Sequence, residues 1–220
     1  MGMPDNGVAR RDVLVARDVH KSFRHGVWPA AKHVDVLNGV DLTVRSGEMV
    51  GLVGENGSGK STLMKIIVGL LGRDTGTVER EGSLGYCPQV PLVWEKLTVA
   101  EHFALFAKAY RMDDDQMRHA LDELLDELQF GKYRDYRVSD LSGGTRQKLN
   151  LAISLMHDPD LLLLDEPYTG FDWETYMRFW DLSETRRQRG TAILIVSHMI
   201  TENKRLDRVE HLRAGRIEKT

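Results

Sequence analysis

Nine consecutive residues, Gly54-Glu55-Asn56-Gly57-Ser58-Gly59-Lys60-Ser61-Thr62, constrain this fold more than any others. They fit G-x-x-x-x-G-K-[ST], a loop that leads from a strand into a helix and wraps a polyphosphate. Its glycines let main-chain N–H groups turn inward toward anionic oxygens, in a backbone conformation that side chains there would obstruct. Lys60 then reaches the β- and γ-phosphates, and Ser61 offers a hydroxyl to Mg²⁺. From Thr62 onward the helix presents its free N–H groups and positive dipole end to the same anion. A flexible Gly/Ser loop that merely contains a lysine would lack the flanks found here. Met49 to Val53 is a short apolar run suited to a buried strand, and Leu63 to Leu71 repeats apolar residues at helical spacing.

Two hundred and twenty residues are enough for one sizeable domain with a real core. Thirty basic and thirty-three acidic side chains give a net charge of −3, without the basic excess expected of a nucleic-acid binder. Cys87 is the only cysteine, which excludes an internal disulfide. No apolar run approaches the roughly 20 residues of a membrane-crossing helix, and Leu161 to Leu164 is far too short. Met1 to Asp12 is polar, contains Pro4 and Gly7, and reads as a frayed end without the apolar core of a secretion signal. Asn6 stands where N-myristoylation at Gly2 would need Ser or Thr.

Val13 to Val19 and Val34 to Val44 predict strands joined by a polar bend around His25 to Pro29. Thr77 to Glu79 and Ser83 to Tyr86 are further short strands, preceded by an Asp74-Thr75-Gly76 turn. The pattern then becomes helical. Thr98 and Glu101 form a capping box, followed by a stripe of Val99, Phe103, Phe106, Ala107 and Tyr110. Met117, Leu121, Leu124, Leu125 and Leu128 form the next stripe, and the acidic run Asp113 to Asp115 reads as its helix start, since it lacks the further ligands of a calcium loop. Strand-like runs resume at Leu161 to Leu164 and Ala192 to Val196. Between them, Asp172 is placed to cap a helix with Trp173, Tyr176, Met177 and Trp180 along one face. This alternation implies βαβ units around a parallel sheet, with a helical insertion from about Glu95 to Met156.

Leu161 to Glu166 is a buried strand ending in two carboxylates, which are costly to bury unless a cation or hydrogen bonds compensate them. At the carboxyl end of a sheet strand they face the nucleotide crevice. Asp165 is the natural Mg²⁺ partner, directly or through water, and Glu166 would orient or deprotonate the attacking water. Leu141-Ser142-Gly143-Gly144-Thr145-Arg146-Gln147 follows the phosphate loop and shortly precedes this strand, and it is similar to the signature L-S-G-G-Q-x-Q. In this order of motifs the chain resembles the nucleotide-binding ATPase subunit of an ATP-binding cassette (ABC) transporter. Ser142, Gly143 and Gly144 put a hydroxyl and free N–H groups at a helix start, a second anion cradle.

The resemblance implies a P-loop NTPase fold of the α/β class: a RecA-like, mostly parallel sheet core (about 13–94 and 157–220), an N-terminal antiparallel β subdomain and an inserted helical subdomain (about 95–156), all in one cassette. It implies a head-to-tail dimer, with ATP sandwiched between one subunit's phosphate loop and the other's Ser142 signature. By the same likeness Phe23 stacks on adenine, and Gln89 senses Mg²⁺ and water and begins the loop that touches the membrane partner. Thr169-Gly170-Phe171-Asp172 is the dimer-contact loop, and His198 contacts the γ-phosphate. Catalysis would fall to Glu166, His198 and Lys60, and Mg²⁺ to Ser61, Gln89 and Asp165. Thr145, Tyr168 and Phe171 depart from the usual Gln, Thr and Leu without removing a phosphate donor or the catalytic carboxylate.

The implied function is ATP hydrolysis coupled to solute movement by a separate transmembrane subunit, with export favoured over import. The implied partners are that subunit and a second ATPase subunit, in a homodimer or heterodimer, at the cytoplasmic face of the cell membrane. A soluble single-cassette ATPase of the iron–sulfur assembly type is the alternative.

Overall fold

In the computed structural model, which describes residues 10–25, 32–198 and 202–218, the chain opens with two long antiparallel strands, β1 (Asp12–His25) and β2 (Lys32–Arg45). Both exceed the lengths expected from sequence, and the bend residues 26–31 lie outside the described residues. β3 (Met49–Val53), buried at every position, leads into the phosphate loop and α1 (Lys60–Val68). Gly69, at φ 86, ends α1 two residues before the anticipated Leu71, its N–H closing onto Ile66. β4 (Thr75–Arg80) then returns to pair antiparallel with β1, giving a three-stranded sheet in the order β2-β1-β4.

β5 (Leu84–Cys87) enters a second sheet, and α2 (Val99–Ala109), α3 (Asp114–Glu127) and α4 (Gly143–Leu155) follow before the chain returns in β6 (Leu161–Asp165). Thr98 caps α2 through the expected box with Glu101, and Asp113 caps α3 through an equivalent box with Gln116. α5 (Trp173–Gln188), capped by Asp172, β7 (Ala192–Ser197), β8 (Arg208–Arg213) and β9 (Arg216–Glu218) complete the fold. The second sheet runs β5-β6-β7-β3-β8-β9, parallel throughout except for the β8–β9 hairpin.

β6 and β7 are buried at every position because both faces of the sheet are covered. Leu161 and Leu163 join one core with α1, β1 and β2, whereas Leu162 and Leu164 join another with the helices α2 to α5. Alternate residues of one strand thus serve opposite layers. The aromatic face expected on α5 is only partly its buried face: Trp173 is 71% exposed, and Thr175, Phe179, Trp180, Leu182, Ser183 and Arg186 are the buried side chains.

Candidate active site

The phosphate loop connects the carboxyl end of β3 to α1 through Gly59 at φ 108. A Cβ at Gly59 would lie 2.8 Å from both the Val36 carbonyl and the Leu37 side chain, so only glycine fits this approach to β2. Lys60 Nζ donates to the carbonyls of Gly54 (2.6 Å) and Glu55 (3.0 Å), holding the loop in a closed ring. Ser58 Oγ is buried without a partner. A cleft of about 290 Å³ beside the loop has Lys60, Ser61, Gln89, Asp165, Glu166 and His198 on its wall. A hollow of about 390 Å³ on the loop's other side, toward His211 and Arg213, has neither Lys60 nor Asp165 on its lining. The smaller cleft is therefore where the chemistry converges.

Asp165 ends β6 and is 6% exposed. Burial, reinforced by the neighbouring charge of Glu166 and partly offset by Lys60, pushes its pKa up to about 6. Glu166 adopts φ 49 while its N–H bonds the Val196 carbonyl at 2.9 Å, so the chain turns across the end of β7. There its carboxylate takes three donors. Ser197 Oγ donates to Oε2 at 2.9 Å, and the backbone N–H and ring Nδ1 of His198 reach Oε1 at 2.8 and 2.7 Å. His198 stands largely exposed at the mouth of the cleft.

Donor chemistry fits a magnesium–nucleotide complex. No cluster of three or more His, Cys, Asp or Glu that would hold a metal is present among the described residues. The Asp165 carboxylate and the Ser61 hydroxyl are on the wall of the same cleft, a pair suited to Mg²⁺ that keeps water and substrate phosphate as its other ligands. Lys60 and the loop glycines Gly57 and Gly59 on the same wall suit the anion.

Ser142 caps α4, its Oγ accepting from the Thr145 N–H at 3.2 Å and pairing with Thr145 Oγ1 at 2.9 Å. Thr145, the departure from the signature, is thereby turned inward onto the cap. Ser142 and Gly143 are exposed and are not on the wall of the phosphate-loop cleft, so one chain does not bring its two anion cradles together. A Cβ on Gly144 would lie 2.4 Å from the Gly170 carbonyl, which seats the signature directly on the Thr169–Asp172 loop. Phe23 is 40% exposed with Lys21 Nζ 5.5 Å above its ring, and it too is away from the cleft wall.

The ABC transporter family model matches residues 37–169. The chain belongs to the ABC transporter family. This cassette is 36% identical over 193 residues to the Nod factor export ATP-binding protein I of Rhizobium meliloti (strain 1021), covering 82% of this chain and 58% of that relative. It is 37% identical over 197 residues to the protein of the same name from Burkholderia lata, covering 82% of this chain and 64% of that one. The chain thus spans about three-fifths of the length of these curated relatives. Among solved structures, an ATP-binding subunit of an ABC transporter superposes with a TM-score of 0.84 at 28% identity, covering 94% of this chain and 88% of that one. A dimeric ATP-binding cassette in a post-hydrolysis state with ADP and Pi gives the same TM-score of 0.84 at 24% identity, over 94% and 97% of the two chains, and shares the fold.

Two residues at the cassette's site, Ser197 and Asn150, were not foreseen from sequence, and Gln147 was read only as the end of the signature. Ser197, next to His198, contacts Glu166. Gln147 Nε2 donates to the Pro167 carbonyl at 3.2 Å, and Asn150 Nδ2 donates to the Pro88 carbonyl at 2.8 Å. These two amides tie the signature helix to the turn after Glu166 and to the root of the Gln89 loop. Buried amides on an otherwise apolar helix face were the available signal, since such groups require partners.

Proposed function

We propose that this cassette hydrolyses ATP to ADP and phosphate as one half of a closing dimer, and that closure drives a separate membrane-spanning partner. The observation that carries the reading is the buried Glu166 carboxylate, held by three donors beside Lys60 and Asp165. Lys60 and the loop N–H groups bind the phosphates, Glu166 orients or deprotonates the attacking water, and His198 holds the γ-phosphate. Ser61, Gln89 and Asp165 would hold Mg²⁺, which when bound would supply positive charge to the phosphate oxygens. The exposed Ser142 and Gly143 are presented to a second copy's nucleotide, completing a site that one chain leaves half built. Phe23, on the β1–β2 ladder, supplies the exposed ring for adenine.

Val90, Leu92 and Trp94 are exposed immediately after Gln89, and Leu105 is exposed on α2. An apolar strip of this kind suits a membrane subunit's cytoplasmic loops. No helix among the described residues is long and apolar enough to cross a membrane. The same reading puts the cassette at the cytoplasmic face, held there by its membrane partner. Export is favoured because several relatives carry an export name, which also disfavours the iron–sulfur assembly alternative.

Glu166→Gln tests the assignment. ATP affinity should stay within about twofold while turnover falls by at least about a hundredfold, the usual scale for losing a positioned general base. Normal turnover in that variant overturns the catalytic reading. Copurification with an integral membrane protein from detergent extracts tests the coupling.

A further inference from the structure

Glu166 is gripped unequally from β7. Its Oε1 accepts from the backbone N–H of His198 and from the exposed His198 ring, and of these two only the ring contact can be exchanged for one to water or substrate as the ring turns. Its Oε2 bonds the hydroxyl of Ser197, which is buried inside the end of β7 and has no such freedom. This hydroxyl reaches a carboxylate 31 residues away along the chain. Ser197 is also hydrogen-bonded by the Tyr168 side chain. The Tyr168 ring is fixed edge-on by Tyr176 at 5.3 Å and Phe179 at 5.6 Å, both on α5. A serine hydroxyl has one proton to give and lone pairs with which to accept, so a directed chain from Tyr168 O–H through Ser197 O–H to Glu166 satisfies all three groups.

We propose that Ser197 is a positioning residue for hydrolysis, its hydroxyl pinning Oε2 of Glu166 while the His198 N–H holds Oε1, so that the carboxylate keeps one orientation when the His198 ring turns away, with Tyr168 keeping that hydroxyl aimed. The inference rests on the reading of Glu166 as the group that activates water. It also accounts for Tyr168, a departure from the family's usual threonine, because the tyrosine ring packs into the aromatic cluster of α5 while its hydroxyl reaches Ser197 on β7.

Ser197→Ala, Ser197→Thr, Tyr168→Phe and Glu166→Gln in the full chain test this, with steady-state ATPase kinetics and direct binding of a fluorescent ATP analogue. Losing a hydrogen bond to a charged group should lower kcat for Ser197→Ala by roughly tenfold to a hundredfold. KM and analogue affinity should stay within about twofold, because binding does not use this bond. Ser197→Thr keeps the hydroxyl and should restore most of the rate. Tyr168→Phe keeps the ring packing and should lose several-fold in kcat alone. Wild-type kcat in Ser197→Ala, with Glu166→Gln stalled, overturns this proposal alone. So does a loss of kcat and affinity together that threonine does not rescue, because that marks a purely structural role. Turnover retained by Glu166→Gln overturns the catalytic reading and this inference with it.

Discussion

Asp165 should be a measurable burden on the nucleotide-free fold, and removing its charge should stabilise the protein while disabling it. Burial first and the charge of Glu166 second raise its pKa from 3.8 to about 6. A carboxyl that ionises less readily in the folded chain than in the unfolded one opposes folding wherever it is ionised. The penalty is complete above the folded pKa of about 6, shrinks as the pH falls toward 3.8, and is gone below it. At about 1.4 kcal/mol per pKa unit, the interval amounts to about 3 kcal/mol. Asp165→Asn should therefore gain up to about 3 kcal/mol near neutral pH, or roughly 6–12 °C in Tm for a chain of this length. Urea denaturation and melting with EDTA and without nucleotide provide the assay, repeated from about pH 7.5 down to about pH 4.5. The gain should fade over that range, and the stabilisation that Mg-ATP confers on the wild type should be absent from the variant. An Asn variant no more stable than wild type at about pH 7.5, or a gain that persists unchanged in acid, would refute the reasoning.

Gly144→Ala drives a Cβ to 2.4 Å from the Gly170 carbonyl, which cannot yield as a flexible side chain would. Separating these segments should cost roughly 1–3 kcal/mol of stability and weaken ATP-dependent dimerisation measured by light scattering, and an unchanged dimer would exclude a role for this contact. Arg186 is nearly fully buried on α5 and pairs with Asp158 at 3.0 Å, Glu123 at 3.6 Å and Glu127 at 3.7 Å. Arg186→Ala leaves these carboxylates without their shared cation and should cost roughly 3 kcal/mol in urea unfolding, and a cost under about 1 kcal/mol would show that α3 and α5 do not depend on it.

Much of this fold was legible because the informative patterns are local. Met49 to Val53 and Leu161 to Leu164 could be read as buried strands since a strand covered on both faces needs apolar side chains at every position. The caps at Thr98 and Asp172 were legible because their partners lie three residues away. Sheet membership was not, because pairing is a long-range choice. The Thr77 to Glu79 segment gives no local sign that it belongs beside β1 and not with the parallel strands. Trp173 misled because helical spacing identifies a stripe of large residues without saying which edge of it meets the core. The buried edge runs through Phe179 and Trp180, leaving Trp173 stacked on Tyr176 at the surface.

The site divides along the same line. Lys60, Ser61, Gln89, Asp165, Glu166 and His198 come from different strand ends, yet all reach one cleft because parallel strands deliver their carboxyl ends to one edge of the sheet. Ser142 cannot join them within the chain, since α4 starts where Gly144 rests on Gly170 and is tied there through Gln147 to Pro167. These ties place the second cradle on the same rigid segment as the turn that carries Glu166. In the proposed dimer, a second copy docking on the signature would also press on the loop that follows Glu166. On this reading, closure around nucleotide and alignment of Glu166 are one mechanical event, and loosening the Gln147 tie should uncouple them, leaving dimerisation intact while turnover falls.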